Sequence, residues 1–159
     1  MTGITTLEAV IIGHNVVSIG DNAFQGCTSL ETVIFGSGLT TIGTTFQGLT
    51  SITTVDMSLA TSFETIPENA FQGCTGLTSF TLGLGVTNFD STSFQGCSNL
   101  EEFIIGASLT AIPSNAFKGC IKLSNIDMRR NNIGNLKRLE DQCFSINYND
   151  DSSSSELTY

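Results

Sequence analysis

A stretch beginning Ala23-Phe24-Gln25-Gly26-Cys27 returns recognisably four more times, with Phe24, Phe46, Phe71, Phe94 and Phe117 leading the copies at steps of 22, 25, 23 and 23 residues. A period in this range belongs to stacked units, each too small to bury an apolar face alone. Such a chain coils, one copy per turn, and its 159 residues suit a single domain with a continuous core.

Each leading Phe fixes a register for the apolar residues that follow. A Leu or Ile stands six residues after every Phe (Leu30, Ile52, Leu77, Leu100, Leu123), and apolar residues stand nine and eleven after it: Val33/Phe35, Val55/Met57, Phe80/Leu82, Phe103/Ile105 and Ile126/Met128. The nine-eleven alternation is the period of a strand with one face inward. With Leu7, Val10 and Ile12 as a first copy lacking its Phe, six short strands are expected. Each recurs after the same one-way path, so neighbours are expected to run parallel. A second apolar pair continues the register: Val16/Ile19, Leu39/Ile42, Phe63/Ile66, Val86/Phe89 and Leu109/Ile112. Two residues inserted after Met57 and one lost between Ile42 and Phe46 account for the 25- and 22-residue steps, both in outer turns, where length varies easily.

The segment around each leading Phe reads as a single helical or 3-10 turn. Asn22, Thr44, Asn69, Thr92 and Asn115 precede each Phe by two and offer side-chain oxygens to free amides. Gly26, Gly48, Gly73, Gly96 and Gly119 follow it by two, where a positive φ ends the turn. Stacking brings the phenylalanines into a spine at roughly 4.8 Å per turn. Cys27, Cys74, Cys97 and Cys120 share one slot with Leu49. A slot that accepts leucine is apolar, so buried thiols are expected in preference to disulfides, and metal-ligand spacing is absent.

These residues carry a family resemblance. The recurring form, seen as VVSIGDNAFQGCTSLETVIF (16–35) and LTAIPSNAFKGCIKLSNIDM (109–128), resembles the BspA-like leucine-rich repeats of bacterial and protist surface proteins across residues 7–128. The resemblance implies an α/β-type leucine-rich repeat solenoid. In it a right-handed coil carries one short parallel strand per ~23-residue repeat, with short helical or 3-10 turns on the other side. It further implies adhesion and binding of protein or extracellular-matrix ligands at the cell surface, without catalysis.

Charge narrows the partners. All six basic residues lie between Lys118 and Arg138, while residues 1–117 carry nine acids and no base. Most of such a surface repels phosphate, which sets nucleic acid aside. No run approaches the ~18 apolar residues of a membrane span, so membrane insertion is not expected. Arg129, Arg130, Lys137 and Arg138 form a positive end suited to head-to-tail contact, to holding the acidic tail, or simply to blocking further stacking.

Three segments follow: a solenoid (1–128), a capping segment (129–146) and an acidic Ser-rich tail (147–159) expected to be mobile. Within the second, Leu136, Leu139 and Cys143 stand at i, i+3 and i+7 after Asn135, which predicts a short amphipathic helix over the end of the core. Cys143 also falls in the small-residue slot of Ala23, Ala70 and Ala116.

Catalysis has little to work with. His14 is the sole histidine and belongs to an outer turn without an orienting partner. Glu101 and Glu102 point to opposite faces of a strand. No phosphate loop, nucleophile motif, cofactor motif or metal motif is present. The sequence therefore points to a non-catalytic binding module. Its candidate surface is the outward strand face, where Ile11, Ile34, Asp56, Glu102 and Ile104 are the expected contacts. The alternative is an intracellular scaffold or regulatory repeat protein. That reading is favoured by reduced thiols, by the absence of Asn-x-Ser/Thr, and by a start, Met1–Val10, unlike a signal peptide. The first strand, Leu7–Ile12, has an edge with nothing before it except Met1–Thr6, so either the chain is cut from a longer array or that edge is buried against a second copy, and end-to-end self-association through that turn is the expectation.

Overall fold

A computed structural model describes residues 4–130, 135–139 and 143. The chain winds through six turns, each contributing two short strands. Those centred nine residues behind each leading Phe form the first set: β1 (Ala9–Ile11), β3 (Thr32–Ile34), β5 (Thr54–Asp56), β7 (Ser79–Thr81), β9 (Glu102–Ile104) and β11 (Asn125–Asp127). They make one parallel six-stranded sheet in that order, with Val10, Val33, Val55, Phe80, Phe103 and Ile126 aligned across it. The expected six strands, their parallel pairing and their inward residues are all present.

A second set goes beyond that expectation. β2 (Ser18–Ile19), β4 (Thr41–Ile42), β6 (Thr65–Ile66), β8 (Asn88–Phe89), β10 (Ala111–Ile112) and β12 (Arg138–Leu139) pair as β2-β4, β6-β8 and β10-β12. Each turn therefore holds two strands rather than one. The reason is that the second apolar pair also alternates with exposed residues: Ile42 and Ile66 are buried while Thr41 and Thr65 face water.

No helix occurs among the described residues, so the expected helical or 3-10 segment at each leading Phe is corrected to a chain of separate tight turns. In the first copy Gln25 N–H reaches Asn22 C=O (3.0 Å), Cys27 N–H reaches Phe24 C=O (3.1 Å) and Leu30 N–H reaches Cys27 C=O (3.2 Å). Left-handed residues bracket the Phe: Asn22, Asn69 and Asn115 have φ of 61°, 57° and 55°, and Gly26, Gly73 and Gly119 have 81°, 71° and 82°. Only three residues separate each pair, too few for a helical run. Asparagine is thus chosen here for its tolerance of positive φ.

The predicted helix over Leu136, Leu139 and Cys143 is also corrected over the described residues. Arg138 and Leu139 pair in parallel with Ala111 and Ile112, Lys137 N–H reaches Thr110 C=O (2.8 Å), and Cys143 is buried. The chain has re-entered the coil. Residues 147–159 lie outside the described residues, as do 131–134, 140–142 and 144–146 within the capping segment.

The core is the interior of the coil. Ring centroids of Phe24, Phe46, Phe71, Phe94 and Phe117 follow one another at 5.4, 5.3, 5.7 and 6.4 Å, offset stacks slightly wider than the strand spacing. Phe80, Phe89 and Phe103 meet this column edge-on. None of the five cysteines forms a disulfide, and all are buried. Three donate to the carbonyl of the leading Phe one turn before: Cys74 Sγ to Phe46 O (3.0 Å), Cys97 Sγ to Phe71 O (3.2 Å) and Cys120 Sγ to Phe94 O (3.2 Å). Burial pushes the Cys74 thiol up to about 12, and a hydrogen bond with Cys120, followed by burial, holds Cys97 well above its usual value.

Candidate protein-binding face

Because inward and outward residues alternate, the six-stranded sheet presents two outward columns. One runs Ala9, Thr32, Thr54, Ser79, Glu102, Asn125, and the other Ile11, Ile34, Asp56, Thr81, Ile104, Asp127. Neighbours within a column are about 4.8 Å apart, so each column spans about 24 Å over five steps. Ile11, Ile34, Asp56 and Ile104 share one column, and Glu102 lies in the other beside Ile104. Ile34 and Ile104 are three steps apart, about 14 Å, and form no single apolar patch. Ile11 is 75% exposed, whereas Ile34 and Ile104 are half-buried between flanking turns.

The two acids have local partners that sequence reasoning missed. Asp56 Oδ1 accepts Ser58 N–H at 2.8 Å. Glu102 Oε1 accepts Asn125 Nδ2 (2.9 Å), and Ser79 Oγ lies 3.5 Å from Oε2. The signal for the first was readable: Asp occupies the outward position only where the residue two further on is not glycine, at Asp56/Ser58 and Asp127/Arg129. At Gly36, Gly83 and Gly106 that second position needs glycine, since an added Cβ would collide with a carbonyl oxygen of the turn before (Gly83 O at Gly106); at Gly13, in the first turn, the space is open.

Asp127 closes the same turn through Arg129 N–H (2.9 Å) and also receives its guanidinium, Nε at 2.9 Å and Nη2 at 2.7 Å. These bonds pull the Asp127 carboxyl down to about 2. Arg129 is thereby partnered, so the positive end is less free than its sequence suggests. His14 is exposed in its outer turn as expected, but it is not partnerless: its Nδ1 accepts Ser37 N–H (3.3 Å) and lies 3.1 Å from Ser37 Oγ. Among the described residues no group of three or more His, Cys, Asp or Glu could hold a metal ion. Nor do the described residues hold any helix long and apolar enough to cross a membrane.

A stacked parallel coil with a broad sheet face defines a solenoid repeat protein. The BspA type leucine-rich repeat region matches in six copies over residues 2–124 and 44–154, and the chain belongs to that family. Repeats of this family are generally protein-binding and typically non-catalytic, and the proteins that carry them are typically found at cell surfaces. A leucine-rich cell surface protein from Faecalibacterium prausnitzii is 31% identical over 75% of this chain and 31% of its own, with a TM-score of 0.67. A Bacteroides ovatus leucine-rich repeat protein is 25% identical over 87% of this chain and 35% of its own (TM-score 0.68). The Treponema pallidum leucine-rich repeat protein is 22% identical over 86% of this chain and 70% of its own (TM-score 0.64), which shows the fold alone. The chain thus spans about a third of the F. prausnitzii and B. ovatus chains. Comparison with curated proteins gave no match.

Proposed function

We propose that this chain is a non-catalytic adhesion module of a cell-surface protein and takes a protein or extracellular-matrix ligand on its six-stranded face. The observation that carries this reading is the face itself: two in-register outward columns some 24 Å long, the kind of surface solenoids use for partners. Ile11, Ile34, Asp56, Glu102 and Ile104 supply the contacts. Nine acids and no base over residues 1–117 support a protein ligand over a nucleic acid. No cofactor or metal takes part, and the module does not insert into a membrane. Residues 129–146 close the solenoid of 1–128, supported by the pairing of Arg138–Leu139 with β10.

The reading extends to self-association. Ile4, Ile11, Val16 and Val17 are all exposed on or beside the first turn, an apolar edge where a second copy docks end to end. Val10→Lys is expected to dissociate that dimer in sedimentation; a wild-type monomer at high concentration refutes it. An intracellular scaffold is the second reading, and five cysteines outside any disulfide favour it.

The test of the main reading is retention on immobilised basement-membrane extract. Ile34→Ser with Ile104→Ser is expected to keep the fold and weaken retention. Unchanged retention by a folded double variant overturns the assignment of this face.

A further inference from the structure

The six turns are not equivalent. Behind the second strands stand Gly20, Gly43, Pro67, Asp90 and Pro113. Gly43 N–H donates to Ile19 C=O (2.9 Å) and Asp90 N–H to Ile66 C=O (3.1 Å), each tying its turn to the one before. Proline has no N–H, so at Pro67 and Pro113 the carbonyls of Ile42 and Phe89 lose that donor. The second-strand edge breaks at both places into β2-β4, β6-β8 and β10-β12, while the six-stranded sheet runs through unbroken.

Beside the phenylalanine column bonds still cross both seams, among them Gly48 N–H to Gln72 C=O (2.8 Å) and Gly96 N–H to Lys118 C=O (2.9 Å), but certain side chains there add to the same grouping. Thr45 Oγ1 accepts Phe24 N–H (3.0 Å) and Asp21 Oδ1 accepts Thr44 N–H (2.9 Å), binding turn two to turn one. Thr92 Oγ1 accepts Asn69 N–H (3.1 Å) and Ser93 Oγ donates to Pro67 C=O (2.9 Å), binding turn four to turn three. Thr45 and Ser93 are the buried polar residues of the core. The sequence carries this alternation: Asn-Ala precedes Phe24, Phe71 and Phe117, whereas Thr44-Thr45 and Thr92-Ser93 precede Phe46 and Phe94. At that position only the asparagines adopt positive φ. The physical repeat is a pair of turns.

We propose that the rod is jointed at two seams, Ile42/Pro67 and Phe89/Pro113. It bends there by opening along the second-strand edge, with the six-stranded sheet as the continuous leaf that flexes. The curvature of the sheet face then changes in steps of two turns, which lets it follow a partner's surface. An open groove of about 750 Å³ lined by Pro67, Asp90 and Pro113 runs across the second seam.

Native-state hydrogen exchange on the full chain tests this, because one slot samples both environments. Thr40 N–H (to Val17 C=O, 2.8 Å) and Thr87 N–H (to Glu64 C=O, 2.9 Å) lie within pairs, while Thr110 N–H (to Thr87 C=O, 3.1 Å) crosses the second seam. Thr110 is expected to exchange about tenfold faster than Thr40 and Thr87, the weight of roughly one net backbone hydrogen bond. Pro113→Ala restores the donor and is expected to slow Thr110 by about the same factor while leaving Thr40 unchanged. Asp90→Pro is expected to speed Thr87 likewise; if that variant fails to fold, the Pro113→Ala comparison decides alone. Equal exchange at all three threonines, or no response of Thr110 to Pro113→Ala, overturns the proposal.

Discussion

Phe94→Ala should be among the most damaging substitutions in this chain, and the structure says why. The Phe94 ring is fully buried and meets Phe71 (5.7 Å), Phe80 (4.7 Å), Phe89 (5.4 Å), Phe103 (5.0 Å) and Phe117 (6.4 Å). Removing a buried phenylalanine costs about 3–5 kcal/mol. The loss here is expected at the upper end, because the hole opens among rings held by backbone ladders on two sides and cannot collapse. Phe24 provides the internal comparison. It occupies the same slot in the first copy, is half-buried and stacks only on Phe46 (5.4 Å), so Phe24→Ala is expected to cost about 1–2 kcal/mol. Urea unfolding followed by far-ultraviolet circular dichroism is the assay, since the chain has no Trp. Both midpoint and slope are needed, for a solenoid split at its centre unfolds in parts and its m-value falls. A Phe94→Ala loss below about 2 kcal/mol, or one equal to that of Phe24→Ala, refutes a continuous aromatic spine.

Three further outcomes are expected. Gly106→Ala drives a methyl into a backbone oxygen that cannot rotate away and should cost about 1–3 kcal/mol in thermal melts, whereas Gly13→Ala, with nothing within 4 Å, should be nearly neutral. Cys74, its thiol pushed up to about 12 by burial, should react with a thiol reagent at pH 8 only when the coil opens; prompt labelling of the native protein contradicts the buried ladder. Asp127 has its pKa lowered from 3.8 to about 2 on folding, so its contribution to stability is complete above about 3.8 and is lost as pH falls through about 2. Carboxyl NMR should follow that titration, and Arg129→Ala should move it back toward the unperturbed value; an unshifted midpoint in the wild type contradicts the ion pair.

What can be read from the sequence depends on whether a feature repeats locally. Phe24 and its equivalents, with the inward pairs that follow them, recur five times, so strand placement, parallel order and core follow directly. The second strands escape because two residues such as Thr41–Ile42 carry too little periodicity to be told from a turn. The C-terminal helix fails for a more specific reason. Leu136, Leu139 and Cys143 have helical spacing, but Leu109, Ile112 and Ala116 have the same spacing within the coil. Repeat slots and helix period coincide there, and only the pairing of Arg138–Leu139 with Ala111–Ile112 separates them. On the candidate face, the positions of Ile11, Ile34, Asp56, Glu102 and Ile104 are legible from alternation. The bonds of Asp56 to Ser58 and of Glu102 to Asn125 are not, because they depend on what stands two residues on or one turn over.

The most direct test of the sheet face as the binding surface is a labelling footprint. Environment-sensitive probes are placed singly at Thr32, Thr54 and Thr81 on the face and at Thr41, Thr65 and Asn88 on the second strands, then read with and without immobilised basement-membrane extract. The account predicts responses confined to Thr32, Thr54 and Thr81. Responses at Thr41, Thr65 and Asn88, with the face positions silent, contradict it.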